Sequence, residues 1–111
     1  MKELIEYDVF DDISKKLEIR LGSIQEVDRV PKTDNLLKLS VFFGDAIGTK
    51  TVISNAGGEI DNIIDLYFTT FPFIMNIKPR KVYGILSECV MLLPRVDDKI
   101  NLNGIPGSSI I

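Results

Sequence analysis

The chain has 111 residues, 45% of them apolar and 26% charged, with a formal net charge of −3, one cysteine and no histidine. A chain of this size can bury a modest core as one domain without metal or disulfide staples, and it is too apolar for disorder. One cysteine leaves no internal disulfide, and the lack of histidine removes the commonest proton shuttle and metal ligand, and with them most catalytic templates.

No apolar run reaches the roughly 18 residues of a membrane span. The opening MKELIEYDVFDD is acidic where a secretory leader would be basic and then apolar, so a cytoplasmic protein without membrane contact is expected. Residues 8–16, DVFDDISKK, predict a short amphipathic turn or helix with Val9, Phe10 and Ile13 on its apolar side and Asp8 as its cap. Leu17, Ile19 and Leu21 then alternate with Glu18 and Arg20 as a half-buried strand does. Gly22 interrupts that strand as a bend or bulge, and residues 24–27 resume it.

After the turn-rich loop DRVPKTDNL, the run LLKLSVFFG predicts a second strand with Leu37, Leu39 and Val41 on one face, and Gly44-Asp45 and Gly48 frame the next connection. TKTVISNAGG reads as a third strand ending at Asn55. EIDNIIDLYF places Ile60, Ile63, Ile64 and Tyr67 at helical spacing. FPFIMNI is a strand whose Pro72 belongs at its start, an edge or a bulge. VYGILSECVMLLP follows, then the turn RVDD, the short KINL and the tail NGIPGSSII. Five strand regions with a small helix between the third and fourth predict an all-β chain, a five-stranded OB-fold barrel forming a single domain over residues 1–111.

Charge is unevenly spread. Residues 1–28 carry eight acidic and four basic side chains, whereas residues 29–111 carry eight acidic and nine basic. Lys78, Arg80 and Lys81 flank Pro79 in NIKPRKVYGILSEC, a basic corner that reads either as a solvated turn or as a phosphate-binding patch. No catalytic set emerges, since Ser54 and Ser87 lack a histidine base, and Cys89 in the run CVMLL reads as core. No enzyme activity, cofactor or metal is expected.

YDVFDDISKKLEIRLGSIQEV, VPKTDNLLKLSVFFG, ISNAGG and NIKPRKVYGILSECVMLL resemble, in order and spacing, the stand-alone tRNA-binding domain. That family includes free-standing bacterial tRNA-binding proteins, the C-terminal appendage of methionyl-tRNA synthetase, the domain of endothelial monocyte-activating polypeptide II and the secretion chaperone CsaA. The resemblance covers nearly the whole chain, and its most specific part is K-P-R-K-x-x-G-x-x-S-E, Lys78 to Glu88. It implies an OB-fold barrel with short added helices and terminal extensions, usually homodimeric, that binds tRNA by shape at the outer corner of its L.

The chain departs from the family in three places. A common H-P-N-A-D-K-L is Val30 to Leu36 here, S-G-I is Ser54-Asn55-Ala56, and S-E-G-M is Ser87-Glu88-Cys89-Val90. FFGDAIGTK is similar to the corresponding CsaA loop, so unfolded polypeptide is an alternative ligand and docking to an aminoacyl-tRNA synthetase a third reading.

On the tRNA reading, Lys78, Arg80 and Lys81 contact phosphates, Arg80 in bidentate fashion and the lysines as point charges. Asn55 and Ser87 suit a 2′-hydroxyl or a base edge, and Ser54 shares the loop of Asn55; each equally could satisfy only its own backbone. Asp34 reads as an Asx-turn former, which leaves Lys32 and Asn35 to touch RNA. Tyr83 is placed to stack on an unpaired base, while Glu88, which would repel phosphate, is expected to accept hydrogen bonds that set the loop.

Overall fold

A computed structural model describes residues 1–97 and 99–110. Helix α1 (Tyr7–Lys16) leads into strands β1 (Ile19–Arg29), β2 (Leu37–Phe42) and β3 (Thr49–Ser54). Two 3-10 turns, Asn55–Gly58 and Ile63–Leu66, precede β4 (Thr70–Ile74). The hairpin strands β5 (Arg80–Val82) and β6 (Ile85–Ser87), then β7 (Val90–Met91), β8 (Arg95–Val96) and β9 (Lys99–Ile100) follow. The main sheet is antiparallel in the order β3-β2-β1-β4-β7 and curls into a nearly closed OB-like barrel. The predicted turn RVDD includes Asp98, which lies outside the described residues, as does Ile111 of the apolar tail.

Alternation fixes the core. Leu37, Leu39 and Val41 are fully buried, as their period of two requires, and pack with Ile24, Val27, Val52, Leu66 and Phe73. Phe43 meets Phe73 edge-on at 5.3 Å. β1 is continuous through Gly22, and a Cβ there would lie 2.5 Å from the Phe43 ring and 2.6 Å from Val41. The glycine makes room for Phe43, and the bulge sits at Gln25, where register shifts between Ile24 and Glu26.

Pro72 keeps a place inside the sheet because of which way its nitrogen faces. It lies opposite Leu21, with ladder bonds falling on either side of that pair, and its carbonyl accepts from Leu92 N (3.0 Å) on the β7 side. The missing N–H therefore costs β1 no hydrogen bond.

The helix expected in EIDNIIDLYF is only the single 3-10 turn Ile63–Leu66. Asn62 Oδ1 starts it by accepting from Ile64 N, and it stops because Phe68 N donates to Ile24 O at 2.7 Å rather than to a helical carbonyl. Leu66 is the buried residue of this turn, while Ile64 faces solvent. Helix α1 starts one residue before the expected Asp8; Glu6 occupies the cap position and Asp8 sits in the first turn, where its charge favours the helix N-terminus. Its exit is tied to the barrel by Asn76, whose Oδ1 accepts from Glu18 N (2.8 Å) while its Nδ2 donates to Lys16 O. No residue of α1 is buried. Among the described residues no helix is long and apolar enough to cross a membrane.

Candidate nucleic-acid interface

The basic corner is the opening of a β-hairpin. β5 and β6 pair Arg80 with Ser87, Lys81 with Leu86 and Val82 with Ile85. The two-residue loop Tyr83-Gly84 has φ of 52° and 76°, the left-handed pair that a tight hairpin turn needs. Successive strand residues point to opposite faces, so Arg80, Val82 and Ser87 look one way and Lys81 and Leu86 the other. The sequence cluster of three cations is thus divided, with Lys78 and Arg80 on one side and Lys81 on the other.

That hairpin closes the barrel through side chains. Glu88 N donates to Thr51 O (2.9 Å) and Glu88 Oε2 accepts from Thr51 N (2.8 Å), so one glutamate imitates a paired strand residue at the β3 edge. Ser87 Oγ accepts from Ile53 N (3.0 Å) two residues along. Glu88 has the structural role expected of it, acting on β3 just before Ser54 and Asn55.

Between β3, the hairpin and β7 lies a groove of about 230 Å³. It gathers five of the nine sequence-derived residues: Ser54, Asn55, Lys78, Arg80 and Ser87. Leu36, Ile77, Val90 and Met91 supply apolar wall. Ser54 and Ser87 are buried and engaged, Ser54 Oγ accepting from Ala56 N (3.3 Å) and Ser87 Oγ from Ile53 N, so both frame the groove. Asn55, Lys78 and Arg80 are exposed. Among the described residues no ion pair engages Lys78, Arg80, Lys81 or Lys32. The one carboxylate on the groove, Glu88, is already committed to Thr51 N and faces Lys50 at 4.0 Å.

The other four sequence-derived residues lie outside the groove lining. Lys32 stands in the β1–β2 loop at φ 63°, exposed. That loop is closed by Thr33, whose N and Oγ1 both donate to Val30 O, and not by the Asx turn expected of Asp34. Asn35 accepts from Gly57 N through its carbonyl (2.7 Å) and packs its side chain where a Cβ on Gly58 would be, which makes it a support of the Asn55–Gly58 turn. Tyr83 projects from the hairpin tip, 69% exposed.

Two supports escaped sequence reasoning. Arg29 donates to Gly57 O (2.8 Å) and Ile60 O (3.2 Å), pinning the same turn from β1, and Asn76 fixes the start of the segment carrying Lys78. Neither has a spacing signal, because both act on carbonyls or amides distant in sequence. Cys89 is buried on the groove wall, and desolvation pushes its thiol above the ordinary range, with Lys50 opposing more weakly. It stays a neutral core side chain, as the sequence implied.

Comparison with known proteins matches residues 19–107 to the family model described as "Putative tRNA binding domain". The chain is 34% identical over 101 residues to a methionine–tRNA ligase of Bacteroides fragilis, covering 91% of this chain and 14% of the ligase. It is 36% identical over 94 residues to the corresponding ligase of Methanocaldococcus jannaschii, with 83% and 14% covered. The chain thus spans about one-seventh of the curated relatives' length. Among solved structures it is similar to a MetRS related protein from Pyrococcus horikoshii, with TM-score 0.76, 27% identity and 96% and 92% of the two chains covered. It is also similar to the CsaA chaperone protein of Picrophilus torridus, with TM-score 0.72, 26% identity and 96% and 95% covered.

Proposed function

The chain belongs to the tRNA-binding domain family, and we propose that it binds tRNA without chemistry, holding the phosphate backbone on Lys78 and Arg80 in the groove. The observation that carries this reading is a pair of exposed cations, without an ion pair among the described residues, on a frame held by Glu88, Ser87 and Asn76. OB-folds bind oligonucleotides with the loops joining strands 1 to 2 and 4 to 5. Here the first holds Lys32, and the second, between β4 and β7, holds Lys78, Arg80, Lys81 and Tyr83. Asn55 offers a free amide to a sugar or base edge, Tyr83 a stacking face, and Lys32 and Lys81 add long-range attraction. The protein works in the cytoplasm as a homodimer through the uncovered apolar face of α1, with an aminoacyl-tRNA synthetase as a further partner.

A second reading, capture of unfolded polypeptide, is favoured by the apolar walls Leu36, Ile77, Val90 and Met91 and by the likeness to the CsaA chaperone protein. Filter retention of folded tRNA, the same tRNA unfolded, and a reduced unfolded polypeptide, each over a range of salt, separates the two. Phosphate contacts weaken steeply as salt rises, whereas apolar capture does not. Preference for folded tRNA with a steep salt slope is the expected result. No saturable tRNA binding at low salt, beside salt-insensitive polypeptide binding, would replace the first reading with the second.

A further inference from the structure

The segment from Ser54 to Ile77 contains no lysine or arginine but three carboxylates, Glu59, Asp61 and Asp65. Glu59 is engaged by Arg95 Nη1 (3.1 Å) and Ile100 N (3.1 Å). Asp61 and Asp65 are exposed, and among the described residues neither has an ion pair. In the same loop Ile64 is 69% and Phe68 72% exposed.

Phe68 also has φ of 61°, a conformation that costs a bulky L-residue roughly 1–2 kcal/mol and that glycine adopts freely. Its backbone is held there by Phe68 N to Ile24 O (2.7 Å) and by Thr69 N to Leu66 O (3.2 Å). The loop needs a left-handed residue at this point, and the chain supplies an aromatic that faces water. Tyr67, fixed through its hydroxyl to Val27 O (3.2 Å), supports the Phe68 ring at 6.1 Å. The result is an exposed aromatic on a hydrogen-bonded backbone, in the same loop as Asp61 and Asp65 and sharing no residue with the groove.

We propose that the Asp61–Phe68 loop is a docking surface for a basic amphipathic polypeptide segment, whose apolar side covers Ile64 and Phe68 while its lysines or arginines meet Asp61 and Asp65. RNA is disfavoured because the two carboxylates would face phosphate with no cation in the segment to offset them. The aromatic is the anchor of the surface, and the carboxylates select the sign of its partner.

The test uses two labelled helical peptides of one leucine pattern, with lysine at the polar positions of one and glutamate in the other, read by fluorescence anisotropy against the full chain. The parent should bind the lysine peptide saturably and ignore the glutamate peptide. Phe68→Gly should weaken that binding at least about tenfold while the thermal midpoint holds or rises, because glycine relaxes the left-handed backbone. The double variant Asp61→Asn, Asp65→Asn keeps the fold and should weaken binding with a flatter salt dependence. Retention of tRNA should not change in either variant. Equal binding by parent and Phe68→Gly overturns the proposal, as does no saturable binding by the parent. Three other results would also overturn it: loss of tRNA retention, which assigns the aromatic to RNA; loss of self-association, which assigns it to a second copy; and a midpoint several degrees lower in Phe68→Gly, which makes the ring structural.

Discussion

Strand alternation divides the basic corner, and the division can be measured one cation at a time. Lys78 and Arg80 line the groove, whereas Lys81 pairs with Leu86 on the far face of the hairpin. Each phosphate contact contributes roughly 0.7–0.9 to the slope of log affinity against log salt, so raising salt from about 50 to about 200 mM costs roughly threefold per contact. Lys78→Ala with Arg80→Ala should therefore make binding about 7- to 12-fold less sensitive over that interval than the parent's. Lys81→Ala should leave the slope nearly intact. Arg80→Lys retains the charge but loses the planar fork, so affinity should drop with little change in slope. All three positions in this comparison are exposed turn or hairpin sites, and stability should stay within about 0.5 kcal/mol of the parent. Filter retention of tRNA at several salt concentrations, with thermal melts alongside, gives both quantities. If Lys81→Ala flattens the slope as much as Arg80→Ala does, the hairpin register does not govern RNA contact and the groove assignment is wrong.

Glu88→Ala should act on the fold instead. It strips a charged acceptor from Thr51 N, a loss of about 1.5–3 kcal/mol, while the 4.0 Å contact with Lys50 adds under about 1 kcal/mol. The thermal midpoint should fall by roughly 5–15 °C with the salt slope kept, and an unchanged melt would refute the closure role. For assembly, Val9, Phe10 and Ile13 are about half exposed along α1, so light scattering at tens of micromolar should report a dimer. Phe10→Asp with Ile13→Asp should give monomers, and a monomeric parent would refute the interface. Removing residues 105–111 should weaken the dimer, though Ile111 lies outside the described residues.

The barrel was legible where one face of each strand is buried and the other is not. Leu37, Leu39 and Val41 announce β2 because period two matches burial, and Gly44 and Gly48 mark the turn where both φ values are positive. The region 60–67 was misread because helical spacing of Ile60, Ile63, Ile64 and Tyr67 is a local signal, while the decision there is tertiary: Ile24 O takes Phe68 N and ends the turn. The bulge expected at Gly22 lies at Gln25 instead, and the close approach of Phe43 to Gly22 is visible only in the folded chain. At the groove, residue types pointed to phosphate binding, but their partition did not follow from spacing. Lys78, Arg80 and Lys81 look like one cluster along the chain, and only the Tyr83-Gly84 turn sets which of them share a face.

Backbone strain offers a signal that residue types alone do not carry. Among the described residues, four non-glycine residues adopt positive φ: Lys32, Phe68, Tyr83 and Asp97. Each is a place where glycine would be cheaper by roughly 1 kcal/mol or more, and three of the four carry large, exposed side chains. Asp97 sits in the short β8–β9 turn, where a small polar residue tolerates this conformation by bonding locally. Lys32, Tyr83 and Phe68 lack that excuse. Two of them stand on the β1–β2 and β4–β7 loops that an OB-fold turns toward an oligonucleotide, and were singled out from the sequence on chemical grounds. The third shares its loop with Asp61 and Asp65, carboxylates that would repel phosphate. A chain that keeps a cation and a phenol on one pair of loops, and a bare aromatic with two acids on another, has two outward faces of different chemistry. The salt slope of tRNA binding should come from the first face, so a partner on the second should bind without competing for tRNA.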